Sequence, residues 1–154
     1  MKPTCTPDGK WVIYTIRGSE LWKVPVDQGS PVRIAEKATQ GEVSPDGKWI
    51  GYISHDTAAP KLAIKSMIGD GNRQILDFNA DAIVCHWNPD NISLTIARTE
   101  NEVGNLWSLP VNGTAKQISH FTAERIFAFS RSRDGQLLIA RGHQARDVVL
   151  IQRK

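Results

Sequence analysis

The 154-residue sequence has no apolar run near the roughly 18–20 residues that a membrane-spanning helix needs, so no membrane contact is predicted. Nor do apolar residues recur every 3.6 positions over ten or more residues anywhere, which predicts almost no helix. Cysteine is scarce. Cys5 and Cys85 lack metal or redox spacing, and each is predicted to be a buried free thiol. The four histidines, His55, His86, His120 and His143, stand far apart, so neither a metal site nor a cofactor is expected. There is no G-x-S-x-G elbow, no H-E-x-x-H, no G-x-x-x-x-G-K-S/T phosphate loop and no kinase signature. No catalytic residue is therefore assigned, and the chain is not read as an enzyme. Positive charge is also thin: 19 Lys+Arg stand against 16 Asp+Glu, and the densest basic run is only Gln152-Arg153-Lys154. Nucleic-acid binders cluster their basic residues on one face, so nucleic acid is set aside as a partner. The N-terminus, MKPTCTPDGK, has no apolar signal core.

What the sequence does have is a repeat. The runs TPDGKWVIYTI from Thr6, SPDGKWIGYIS from Ser44, NPDNISLTIAR from Asn88 and SRDGQLLIARG from Ser132 share one turn signature. Their aspartates, Asp8, Asp46, Asp90 and Asp134, are spaced by 38, 44 and 44 residues. A second element recurs out of phase: LWKVPVDQGSPVRI from Leu21, LWSLPVNGTAKQIS from Leu106 and a degenerate LAIKSMIGDGNRQI from Leu62.

Each unit reads as four short strands. Asp-Gly after an apolar stretch marks a hairpin, because glycine supplies the positive φ of a tight turn without strain. In the second unit the strands are Gly41–Ser44, Trp49–Ser54, Lys61–Met67 and Arg73–Phe78, with Gly69-Asp70-Gly71-Asn72 turning between the last two. In the third they are Ile83–Trp87, Ser93–Arg98, Leu106–Val111 and Lys116–Ser119. Four-stranded units with a period near 40–45 residues are the pattern of β-propeller blades. The fold class is therefore all-β, a propeller with blades at about 1–36, 37–78, 79–121 and 122–154. Inner strands buried on both faces need not alternate, and Ile83-Val84-Cys85 and Ile126-Phe127-Ala128-Phe129 are continuously apolar. Pro25 and Pro110 fall at equivalent places in their third strands, which suits a strand end. The first unit offers only Lys2–Thr6 as an inner strand and the last reaches only a third strand, Asp147–Gln152. About 3.5–4 blades, an incomplete ring, are thus expected, with strand edges open to pairing.

The SPDGKWIGYIS and LWKVPV elements resemble the TolB-like, WD-repeat-like β-propeller family of bacteria. The ending IFAFSRSRDGQLLIARGHQARDVVLIQRK is similar to the last blade of propellers attached to serine/threonine kinases; similar propellers also follow winged-helix regulators. Arg131 stands where the family usually has tryptophan, a position that Trp87 keeps in the third blade. Arg133 replaces a usual proline, and Asn91 the turn glycine. The resemblance implies a non-catalytic module recognising a protein, peptide or small ligand, as the C-terminal part of a larger sensor or signalling protein. Two alternatives stay open under the same resemblance: a structural propeller of the cell envelope, or the accessory propeller of a kinase or serine peptidase. A periplasmic or extracytoplasmic location follows from the same likeness. Expected partners are a protein or peptide, upstream blades of a parent chain, or a second copy completing the ring.

The four aspartates, with Gly9, Gly47 and Gly135, are read as turn formers, since Asp tolerates turn geometry and bonds nearby amides. Trp11, Trp49, Trp22 and Trp107 are read as packing between blades, and Trp87 as an inner-strand core aromatic. One inner-strand position is polar in every unit: Thr4, Glu42, His86 and Ser130. That row either faces a central channel or bonds neighbouring blades. Glu42, His86, Ser130 and Arg131 are the candidate binding residues, with loops Ser54–Pro60, Arg98–Asn105 and Arg141–Arg146 beside them.

Overall fold

The computed structural model describes residues 3–16, 19–69, 71, 73–79, 84–132 and 136–145. Fourteen strands and no helix occur among them. The first sheet holds β1 (Thr4–Cys5), β2 (Trp11–Ile16), β3 (Glu20–Pro25) and β4 (Val32–Glu36). The second holds β5 (Ala38–Val43), β6 (Trp49–Ser54), β7 (Lys61–Ser66) and β8 (Gln74–Asn79). The third holds β9 (Val84–Trp87), β10 (Ser93–Glu100), β11 (Val103–Pro110) and β12 (Lys116–Gln117). Every pairing is antiparallel and every sheet runs in sequence order, which is the build of a propeller blade. In the fourth, β13 (Arg125–Arg131) pairs with β14 (Leu137–Gly142). Asp134 and Gly135, with Arg133, lie outside the described residues, as do Asp70, Asn72, Ile83, Arg146 and the third strand expected at Asp147–Gln152.

Sequence and structure part at Arg98–Asn105. These residues extend β10 to Glu100 and start β11 at Val103, leaving only Asn101-Glu102 as a turn. Both have positive φ, 48° and 65°, the geometry whose twist matches that of a two-residue hairpin. Pro25 and Pro110 end β3 and β11, opposite Trp11 and Ser93, so their missing N–H groups fall at the ends of the ladders.

The core lies between blades. Ile13, Leu21, Val43, Ile50 and Tyr52 fill the space between the first and second. Ile53, Leu62, Leu76, Trp87, Leu94 and Ile96 fill the next, and Ala97, Leu106, Ile126 and Phe129 the third. Successive strand residues point to opposite faces, so a middle blade must be apolar on both. Each large side chain buried this way contributes roughly 1.5–3 kcal/mol.

The fourth blade differs in register. In the first three, the N–H opening the turn reaches the carbonyl five positions on: Thr6 to Trp11, Ser44 to Trp49, Asn88 to Ser93. Ser132 instead reaches Gln136, four positions on. Ser130 consequently faces Leu138, whereas its repeat equivalent His86 faces Thr95, which corresponds to Ile139. A slip of one residue exchanges the two faces of a strand. Leu138 is 62% exposed, while its repeat equivalents Ile50 and Leu94 are fully buried. The slip places Ile139, half-buried, opposite Phe129 where the common register would place the smaller Ala140. The expectation that Ile126–Phe129 is buried throughout also gives way: Ile126 and Phe129 are buried, but Phe127 and Ala128 are exposed across a bulge. No blade covers that face among the described residues. Cys5, on the open face of the first blade, is exposed for the same reason, and Cys85 is partly buried.

Candidate functional site

The Asp-Gly turns of the first two blades, and Asp90-Asn91 in the third, cap one end of each of these blades. Ser44 donates its hydroxyl to Asp46 Oδ1 at 2.6 Å, the Lys48 amide donates to the same oxygen at 3.1 Å, and the Trp49 amide donates to Ser44 Oγ at 3.0 Å. Thr6, Asp8, Lys10 and Trp11 repeat this network in the first blade. In the third, Asp90 accepts from Ser93 Oγ at 2.6 Å and from the Ile92 and Ser93 amides. Gly9 and Gly47 take φ of 70° and 74°, and Asn91 takes 60°. Asn91 also reaches across: its Oδ1 accepts from the Asp46 amide at 2.8 Å, tying one turn to the next. The Ser44 hydroxyl holds the Asp46 carboxyl below its ordinary range. Burial pushes Asp90 up, but the Ser93 hydroxyl and the two amides outweigh it and leave it lowered. These carboxylates direct their lone pairs into their own turns.

The polar row lies on the inner strands. Glu42 on β5 reaches His86 on β9, with Oε2 and Nδ1 2.9 Å apart. The Trp87 indole N–H donates to the Glu42 carbonyl at 3.0 Å and secures the same interface. The His86 ring stands edge-on to Phe129 of β13, centroids 4.9 Å apart at 83°. Three inner strands are thus linked through His86. The Glu42 carboxylate raises the His86 imidazole above its ordinary value against the opposing effect of burial, and the Phe129 backbone adds to the rise. The pair stays reachable, with side chains 40% and 34% exposed. Arg131, where Trp87 stands in the third blade, donates to Asn88 Oδ1 at 3.4 Å. Ser130 is exposed one blade further on, and Thr4 is half-buried on β1. The structure brings Glu42 and His86 together and places Ser130 and Arg131 on the adjoining strand. Bonding between neighbouring blades was one of the two readings of this row, and the particular pair is one blade period, 44 residues, apart.

The candidate loops border grooves at the opposite end. Asp56 accepts from Ser54 and Arg73 beside a groove of about 420 Å³ that includes Tyr52 and Lys37. A second groove of about 420 Å³ is lined by Arg98, Glu100, Asn105, Trp107 and Phe121. There the Arg98 guanidinium lies over the Phe78 and Trp107 rings, 5.6 and 5.7 Å from their centroids, and pairs with Glu100 at 2.5 Å. Arg141 lies 3.7 Å above the Phe121 ring and donates to the Ala123 carbonyl at 2.6 Å. Trp49 corrects its sequence reading. It floors a groove of about 320 Å³ at the turn end, 40% exposed beside Ile92. Trp11 lines the equivalent groove of about 350 Å³ under the Lys23 ammonium. Among the described residues no group of three or more His, Cys, Asp or Glu is placed to hold a metal ion.

Antiparallel sheets stacked in sequence order, with their inner strands side by side, define a β-propeller whose ring is open. Its fold is similar to that of TolB proteins. A protein from Agrobacterium tumefaciens described as TolB superposes with a TM-score of 0.71 at 21% identity, over 90% of this chain and 56% of that one. TolB from Acinetobacter baumannii gives 0.63 at 24% identity, over 73% of this chain and 30% of that one. The β-propeller domain of the Trilobed protease from Pyrococcus furiosus, which has an open velcro topology, gives 0.60 at 15% identity over 95% and 55%. The chain therefore spans about half or less of the length of each of these proteins. No family model and no curated protein matches the sequence.

Proposed function

We propose that this chain is a non-catalytic recognition module that takes a protein or peptide segment along its inner strands. The observation that carries this reading is the Glu42–His86 pair, fixed between two blades yet more than one-third exposed on each side chain. The Trp87 bond to the Glu42 carbonyl and the Phe129 ring against His86 hold both groups in place before any ligand arrives. Preorganisation of this kind reduces the ordering cost of binding. The carboxylate suits a basic or amide donor from the ligand, and Ser130 and Arg131, both exposed, supply hydrogen bonds from the next strand.

The test is selection of peptides from a displayed library on the purified chain, followed by calorimetric titration against three variants. Glu42→Gln and His86→Ala are expected to weaken binding at least tenfold. Arg33→Ala, on outer strand β4, is expected to leave it unchanged. Peptides that bind the two inner-strand variants as tightly as the unmodified chain would refute the reading.

A further inference from the structure

The end blades present unpartnered apolar faces. On the fourth, Phe127 and Leu138 are 49% and 62% exposed, beside the exposed Ala128 and Ala140. On the first, Val12, Tyr14, Trp22 and Val24 share the face of Cys5, opposite the buried Ile13 and Leu21. The chain exposes 10216 Å² in all. A compact monomer of 17.1 kDa is expected to expose about 7,800 Å². The excess, roughly 2,400 Å², includes the surface of these two open faces.

We propose that a second copy of this chain covers both faces at once, each copy's fourth blade stacking on the first blade of the other to close a two-fold ring. The chain's own blade packing supplies the template. A side chain added at Gly51, which pairs with Glu42, would sit 3.1 Å from Leu94 and 3.4 Å from Trp87 of the next blade. In the fourth blade Leu138 takes that place, paired with Ser130. In the first blade Val12 and Cys5 take the places of Leu94 and Trp87, opposite one another on the ladder just as those two are. Leu138 of one copy therefore meets Cys5 and Val12 of the other. The sizes complement each other: glycine faces tryptophan between blades two and three, and leucine faces cysteine between copies. Ser130 and Thr4, the row residues nearest this interface, are uncharged, so no ion is buried unpaired there.

One symmetry operation satisfies both faces. Two copies bring eight blades, within the range of about four to eight in which such rings close. The two inner rows would then line one channel. The assignment stands independently of what that channel binds.

Light scattering coupled to size exclusion on the full chain should give about 34.2 kDa, twice the 17.1 kDa of one copy. A 17.1 kDa monomer would assign the faces to some other occupant and overturn the proposal. Polymers that grow with concentration would overturn it too, because the contact would then not close. The geometry is tested by Leu138→Cys under mild oxidation. A cross-linked dimer is expected, and it should vanish when Cys5→Ser is added. A dimeric cross-link that survives Cys5→Ser would mean that fourth blades meet each other. A cross-link within one chain would mean that the chain closes alone. Either result, or a dimer that never cross-links, rejects the arrangement.

Discussion

The hairpins of the third and fourth blades start from nearly the same sequence pattern and end with opposite faces buried. NPDNISLTIA closes with Asn88 bonded to Ser93 and sends Leu94 into the core. SRDGQLLIAR closes with Ser132 bonded to Gln136 and sends Leu138 outward. The third blade is held on both sides, and Leu94 packs on blade two in the register common to the first three turns. The fourth is held on one side only, and its register sets the half-buried Ile139, rather than Ala140, opposite Phe129. A strand's register is thus set by its neighbours as much as by its turn.

That contrast can be broken by mutation. Leu94→Ala is expected to cost about 3–5 kcal/mol of unfolding free energy at any protein concentration, measured by urea titration. Leu138→Ala should change only the concentration-dependent part of stability and stay within about 0.5 kcal/mol once the chain is dilute. The double change Ile139→Ala with Ala140→Ile should return β14 to the register of the other blades. Cross-strand contacts in an NMR spectrum would then pair residue 140 with Phe129 and lose the Ile139 pairing seen now.

Smaller effects sharpen the comparison at the turns. Asn91→Gly keeps the positive φ but removes the bond to the Asp46 amide, so about 0.5–1 kcal/mol should be lost. Asn91→Ala should cost about 1–2 kcal/mol more, because alanine resists that backbone. Acid titration should show the turn carboxyls. The Ser44 hydroxyl depresses Asp46 in the folded chain, so its contribution is intact above the ordinary value of 3.8 and is lost as pH falls through the lower folded value. Ser44→Ala should flatten that limb of a stability–pH curve. His86 runs the other way. Its folded value is raised, so the Glu42 link contributes fully below 6.5 and fades as pH climbs through the folded value. The pair is more than one-third exposed, and solvent keeps this effect the smallest of the set. Glu42→Gln should erase it.

The repeat made the fold readable, because Asp-Gly turns and strand-length apolar runs are local signals. Strand β6 falls at Trp49–Ser54 in both sequence and structure, and most other ends agree within a few residues. The exposure of Phe127 and Leu138 was not readable, since it depends on what lies beyond the blade rather than on the strand itself. Trp49 misled for a related reason: its equivalence to Trp11 is real, but both sit at the turn end, where grooves open between blades. The candidate row was visible as four polar positions. Which of its members pair was not, because a repeat gives position and leaves side-chain reach unstated. Nor was the role of Asn88 readable, although Arg131 and Thr95 both donate to its side-chain Oδ1.

The two cysteines make the molecule its own reporter of opening. Cys85 packs against the core between the second and third blades, and burial together with the Glu42 carboxylate pushes its thiol up, so little of it is in the reactive thiolate form. Cys5 lies on the face assigned to the second copy. Alkylation of the unmodified chain would therefore run on two clocks. The label on Cys5 would time the parting of the copies and the label on Cys85 the parting of the blades, and mass spectrometry would read both from one sample.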